Sequence, residues 1–271
     1  MKHTLLGLYL IPAAAVASAF VLGAWGRRGA DNPPAPSSPT VVVELFTSEG
    51  CSSCPPADAL LAKLAVGNSA SNVHVIALEE HVDYWDDQGW KDPFSSHDWT
   101  LRQYTYAGAL RNGNPYTPQM VVDGSVEFSG GRAQEALRSI AEASAHEKTT
   151  VTLTEGTPDK TGKENFSVQV GKLAPSPKGG AAEVWLAITE TGLHSAVTRG
   201  ENAGHELRHA AIARSMRKIG EAKPDRDTSF SGDANVPLRG EWKRENLKAV
   251  VFVQEKKSLK ILGAAEVALR P

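Results

Sequence analysis

The apolar positions of this chain fall into two textures. Residues 41–47, Val-Val-Val-Glu-Leu-Phe-Thr, form a short apolar run that reads as a buried strand. Ser48-Glu49-Gly50 turns the chain. Residues 55–66 follow as a helix with Leu60, Leu61 and Leu64 on one side. Residues 73–78 read as a second strand, so strand–helix–strand implies a parallel βαβ unit. A helix is expected over 96–110, with Ser95 or Ser96 as its cap. The segments 120–123 and 126–129 alternate around Asp123-Gly124, a strong hairpin signal. An alanine-rich helix over 132–146, with Leu137 and Ile140 inward, closes this region.

After His146 the texture changes. Residues 149–154, 165–170, 183–189, 248–254 and 260–267 are short β-type runs, separated by turn-rich stretches at 156–162 and 175–180. Alternation is plain in Val168-Gln169-Val170 and Thr152-Leu153-Thr154. Such a series predicts a β-sandwich-like domain over 149–271.

The first 39 residues belong to neither texture. Met1-Lys2-His3 is a basic start, and residues 4–24 carry no charge. Ala17-Ser18-Ala19 fits a signal-peptidase site. The apolar stretch is also long enough, about 20 residues, to span a bilayer uncleaved. Residues 1–24 therefore read as a signal peptide or an N-terminal membrane anchor. Either way the rest of the chain is expected outside the cytoplasm, periplasmic or secreted. Residues 25–39 are a Pro-rich linker, too rich in proline to build a core.

Composition adds limits. With 29 basic and 31 acidic residues the chain is nearly neutral, and it carries no nucleic-acid footprint. A membrane partner is expected only if the N-terminal segment stays uncleaved. No Gly-rich phosphate cradle is present, and no organic cofactor is implied.

The chain has two cysteines, and they stand together as Cys51-Ser52-Ser53-Cys54. In the chain-entropy model a loop this short gives a disulfide on the order of 2 kcal/mol, less than a distant pair would. Redox chemistry explains the spacing better: one thiolate attacks and its neighbour resolves the mixed disulfide. Cys51, beside a helix N-terminus, is the expected nucleophile and Cys54 the resolving thiol. Glu44, on the first strand, is a candidate proton acceptor for Cys54, or else a solvated strand-end carboxylate. Two other readings of the pair stand beside this one. It is an inert disulfide, or half of a copper or zinc site completed by His81, Asp83, Asp86 or His97.

The order β, CxxC, α, β, α, β-hairpin, α is thioredoxin-like. Thr117-Pro118 comes just before the third strand, where thioredoxin-like folds place a cis-proline against the CxxC pair. By that resemblance Thr117 and Pro118 join Cys51, Cys54 and Glu44 as candidate catalytic residues. The likeness runs further. The runs 43–58, His81-Val82-Asp83-Tyr84-Trp85-Asp86 and 116–124 resemble a family of uncharacterised secreted proteins from bacteria and plants. That family carries a thioredoxin-like domain followed by a β-rich domain. The change of texture puts the boundary between a thioredoxin-like domain over 40–148 and the β-rich domain at 148/149; the resemblance covers roughly residues 40–270 and leaves the activity open. The aromatic loop 81–90 follows the second strand, at the carboxyl end of a parallel sheet, where α/β proteins place ligands. It reads as a lid or substrate wall, or as a loop anchored by its own aromatics.

One motif competes. His205-Glu206-Leu207-Arg208-His209 matches HExxH, in which two helical histidines bind zinc. No further ligand pattern follows and the surroundings read as β, so a loop or connecting helix is expected there and no metal ligand is assigned. The leading expectation is an exported thiol–disulfide oxidoreductase whose partner is a protein thiol or disulfide. The alternatives are a metal-delivery protein using Cys51, Cys54 and His81, and a non-catalytic binding module.

Overall fold

The structure, a computed structural model, describes residues 1, 38–66, 72–110, 113–174 and 180–270. The expected signal or anchor (2–24) and all but the last two residues of the linker lie outside the described residues.

The first region runs β1 (Thr40–Thr47), α1 (Pro55–Ala65), β2 (His74–His81), α2 (His97–Leu110), β3 (Gln119–Val122), β4 (Val126–Ser129) and α3 (Ala133–Ser144). β1 pairs parallel with β2 and antiparallel with β3, and β3 pairs with β4. This is the expected thioredoxin-like arrangement. Period-two alternation decides which helix meets which side chains. Val41, Val43 and Leu45 of β1 pack with Ala57, Leu61 and Leu64 of α1 and with Ile140 of α3. Val42 and Phe46 face the other way, and Phe46 packs with Tyr106 of α2.

The second region supplies β5 (Val151–Glu155), β6 (Glu164–Gly171), β7 (Ala182–Glu190), β8 (Leu193–Ala196), β9 (Glu206–His209), β10 (Ile212–Ala222), β11 (Thr228–Val236), β12 (Leu247–Glu255) and β13 (Ile261–Ala268). A three-stranded sheet, β11-β6-β5, packs its Phe166, Val168 and Val170 onto Val184, Leu186 and Ile188 of β7 and Ala249, Val251 and Val253 of β12. That is the sandwich. β8, β9, β10 and β11 have no counterpart among the expected strands. The expected loop or helix around residue 205 is in fact the entry to β9.

The two regions share one sheet. Its order is β13-β12-β7-β10-β2-β1-β3-β4. The seam is narrow: β10 pairs parallel with β2 at Ile212 opposite Glu79, and the Glu79 amide donates to the Ala211 carbonyl at 2.9 Å. The regions on either side of the change of texture at residue 149 thus both give strands to this one sheet. Behind the seam, Val42, Ile76 and Leu78 of the first region pack with Ala187, Val250, Phe252 and Ile261 of the second.

Phe252 is completely buried in this shared core. Phe252→Ala is expected to cost about 3–5 kcal/mol in urea unfolding, the range for an aromatic truncated in a packed core. A cost below about 1 kcal/mol would show that the shared core adds little to stability.

Candidate functional site

Cys51 and Cys54 form a disulfide with their Cα atoms 5.5 Å apart. The bend from Ser48 to Cys54 is held by backbone bonds, with the Cys51 amide on the Ser48 carbonyl and the Cys54 amide on the Cys51 carbonyl, each 3.2 Å. Cys54 caps α1, whose first two residues are Pro55 and Pro56. Proline suits the first turn, where its missing N–H is no loss. Cys51 therefore stands one turn ahead of the helix.

The peptide bond Thr117–Pro118 is cis. Gly130 fixes where Pro118 lies. A Cβ added there would meet Ala57 of α1 at 3.0 Å and Pro118 at 3.2 Å, so the proline and the first turn of α1 converge on one point. The aromatic loop joins them. Trp85 donates its indole N–H to the Thr117 hydroxyl at 2.8 Å, and its Cβ lies 3.0 Å from the place a Cβ on Gly50 would take. Trp85 thus forms a wall between the residue before Cys51 and the residue before Pro118. The carboxylates of this loop tie it to the start of α2: Asp83 accepts from Thr100 and His97, and Asp86 accepts from Ser95.

Both cysteines are buried, Cys51 as fully as Cys54, although Ser52 and Ser53 between them are exposed. What closes over them comes from the second region. Asn202 donates its side-chain amide to the carbonyls of Glu49 at 2.8 Å and Cys51 at 3.0 Å. Glu201 accepts the Ser52 amide at 3.0 Å. The turn at 201–204 is a clasp on the CxxC bend.

Glu44 is not part of this site. Even-numbered residues of β1 face α2, and Glu44 binds the Arg102 guanidinium at 2.5 Å and the Tyr106 hydroxyl there. The sheet separates it from α1. It is neither a proton acceptor beneath Cys54 nor a solvated carboxylate. It is a buried ion-pair partner, beside a cleft of about 460 Å³ lined by Arg102, Tyr106, Trp185 and Gln254.

The carboxyl on the cysteine side is Asp58. It stands one helical turn from Cys54 on the same face and accepts from Thr47 at 2.6 Å. Burial, and then the neighbouring Glu79 carboxylate, push its pKa up to about 7. Beyond it lies a buried polar cluster. Glu79 Oε1 meets His209 Nδ1 at 2.6 Å and His81 Nε2 at 3.3 Å. His81 Nδ1 lies 2.7 Å from Asp92, and His209 Nε2 lies 3.1 Å from Glu49. Burial opposes the charged ring of His81, but Asp92 and then Glu79 outweigh it and hold its pKa well above the imidazole range. Burial likewise opposes His209, yet Glu49 and Glu79 raise it to about 9.

The metal set of Cys51, Cys54 and His81 is not brought together: the thiols are joined to each other and the His81 ring is held by Asp92 and Glu79. The HExxH segment is extended. His205 and Glu206 are exposed and only His209 turns inward, so its two histidines do not converge. Sequence reasoning missed Asp58, Glu79, Asp92 and Asn202. The available signal was Glu79-Glu80-His81, a charged run where a buried strand should be apolar.

A family model described as "Protein of unknown function (DUF1223)" matches residues 42–254. The chain belongs to the DUF1223 family. The match spans both the CxxC region and most of the sandwich, as the sequence resemblance implied. No curated protein matches this DUF1223 chain. Among solved structures it is similar to protein AGR_C_4864 from Agrobacterium tumefaciens, with 25% identity and a TM-score of 0.60, covering 84% of this chain and 93% of that one. It is also similar to HBP35 of Porphyromonas gingivalis, with 16% identity and a TM-score of 0.61, covering 86% and 76%. The second likeness is one of fold.

A carboxyl with a raised pKa holds its proton more tightly folded than unfolded. The stability this gives is fully present below the ordinary value of 3.8 and is lost as pH rises through about 7. Asp58→Asn removes the titrating group while keeping an acceptor for Thr47. The variant should therefore gain on the parent from pH 4 to 7, on the order of a few kcal/mol, as read by urea midpoints across that window. A constant difference would place the Asp58 pKa near its ordinary value.

Proposed function

We propose that this DUF1223 protein is an exported thiol–disulfide oxidoreductase acting on protein thiols or disulfides through Cys51 and Cys54. The observation that carries the reading is a CxxC disulfide at the start of α1, with Pro118 packed toward the first turn of that helix and Trp85 bridging Gly50 and Thr117. An inert staple needs neither the proline nor the wall.

The exchange is reversible and balanced. A substrate thiolate attacks Cys51 Sγ, the Cys51–Cys54 bond breaks, and Cys54 leaves as a thiolate that takes up a proton. A second substrate thiolate then attacks the substrate sulfur of the mixed disulfide and releases Cys51. Two electrons pass from the substrate dithiol to the cysteine pair, and the substrate leaves as a disulfide. In the opposite direction the Cys51 thiolate attacks a substrate disulfide and Cys54 resolves the product. Asp58, one turn along α1, is suited to give and take the Cys54 proton. Thr117, before the cis-proline, offers its backbone to an extended substrate segment.

The clasp sets a condition on this chemistry. Cys51 cannot be reached while Asn202 holds its carbonyl and the bend stays covered. Exchange requires the 201–204 turn to lift.

The reduction potential tests the function, measured in graded thiol buffers by counting alkylated cysteines. A value between about −120 and −270 mV is expected, the range of exchange catalysts. With a disulfide-bearing peptide, the Cys51 thiolate of Cys54→Ser should displace one peptide thiol and remain as a trapped mixed disulfide, and Cys51→Ser should not trap one at Cys54. A potential below about −300 mV, with no trapping, would make the pair structural. The clasp has its own test. Asn202→Ala is expected to speed reduction of the disulfide by small thiols several-fold, on the order of the 1 kcal/mol that a net hydrogen bond is worth. An unchanged rate would mean that the turn does not gate access.

A further inference from the structure

The buried cluster beside Asp58 is built like a metal centre. Among the described residues, Glu79, His81 and His209 bring one ligand atom each within 4.8 Å of one another, and all three residues are buried. His81 Nε2 and His209 Nδ1 converge on the same oxygen, Glu79 Oε1. The far nitrogen of each ring is held by a further carboxylate, Asp92 for His81 and Glu49 for His209. That pairing, with one imidazole nitrogen facing inward and the other fixed by a carboxylate, is how proteins orient metal-binding histidines.

The outer partners are anchored in turn. Asp92 accepts the Glu49 amide at 2.8 Å and the Phe94 amide at 2.9 Å. Glu49 accepts the Trp90 indole at 2.7 Å. The second oxygen of Glu79 accepts the Ala210 amide at 2.9 Å. Phe94 stands edge-on to both rings, 5.5 and 5.6 Å between centroids, and walls the cluster with apolar surface. Three carboxylates and two imidazoles are thus packed together. Buried charge of one sign is costly unless something of the other sign sits among it. A divalent cation at the shared point takes the place of the ring protons that face Glu79 and carries the same sign among the carboxylates.

We propose that Glu79, His81 and His209 bind a divalent transition-metal ion of the zinc class. Two nitrogens and one carboxylate oxygen suit a borderline ion, and no sulfur in the set favours copper(I). Three protein ligands leave a coordination position open, as in exchangeable rather than closed structural sites. The site is independent of the redox pair. It uses the second histidine of the HExxH segment, joined to residues of β2 rather than to His205. His209 lies on β9, which follows the 201–204 clasp in the chain.

The experiment loads the metal-stripped full chain, disulfide intact, with zinc or cobalt(II) alone. Calorimetry and elemental analysis should give one ion per chain. Cobalt should show visible ligand-field bands without thiolate charge-transfer absorption. Glu79→Gln should abolish binding, and Asp92→Asn, which leaves the ligands in place, should weaken it about 10–100-fold. His205→Ala and the Cys51→Ser/Cys54→Ser double variant should bind as the parent does. Absence of binding to the folded parent overturns the proposal, as does loss of the ion on removing His205 or the cysteines. The parent's stoichiometry and cobalt spectrum decide the matter even if Glu79→Gln does not fold.

Discussion

Glu79 stands at the strand pairing that joins the two regions of this protein. It sits at the only register position where β10 meets β2, and its amide makes the hydrogen bond across that seam. Its side chain, fully buried, takes up the Ala210 amide and both histidine rings. The backbone aligns the two regions, and the carboxylate penalises any other alignment, because a buried charge left without partners is far costlier than a lost apolar contact. The clasp on the cysteines, the placement of His209 and the shared core behind the sheet all follow from that registration.

The same constraint sorts charge onto the two faces of the sheet. On the α2 face, Glu44 and Glu80 share Arg102, whose guanidinium also lies over the Tyr106 and Phe252 rings. On the α1 face, Glu79, Glu49 and Asp92 share two imidazoles while Asp58 stands apart with only a hydroxyl for a partner. Burial therefore acts on Asp58 with little to offset it. Its raised pKa is the electrostatic residue of a face where every other carboxylate has a cationic partner.

Much of the thioredoxin-like region was legible because its signals are local. The apolar run at 41–47, the Asp123-Gly124 turn and the Leu61/Leu64 face each report their own element. The cysteine pair could be read because its spacing carries the chemistry, and Thr117-Pro118 because it stands before the third strand, where the resemblance to thioredoxin-like folds implies a cis-proline. The strands of the second region were legible where both faces are buried, as in 182–190 and 247–255, or where alternation is regular, as in 164–171. β10 was not: its sequence is polar along much of its length, and bulges after Ala213 and Lys218 break the alternation that would mark a strand. β11, Thr-Ser-Phe-Ser-Gly-Asp-Ala-Asn-Val, is an edge strand with little apolar content. The misplacement of Glu44 has a single cause. Its parity along β1 sends it to α2, and which face α1 would cover is a tertiary fact. Likewise His209 could be read only within its own motif, since its partners lie 130 and 160 residues away.

That separation has a consequence for biogenesis. A chain that is made or threaded from its N-terminus presents Cys51, Cys54 and Glu79 well before Asn202 and His209 exist to meet them. At ordinary synthesis rates the gap is on the order of ten seconds. During that interval the cysteines have no clasp and the seam edge of β2 has no neighbour. The nascent chain therefore presents an unclasped CxxC bend and an unpaired strand edge that the finished fold covers.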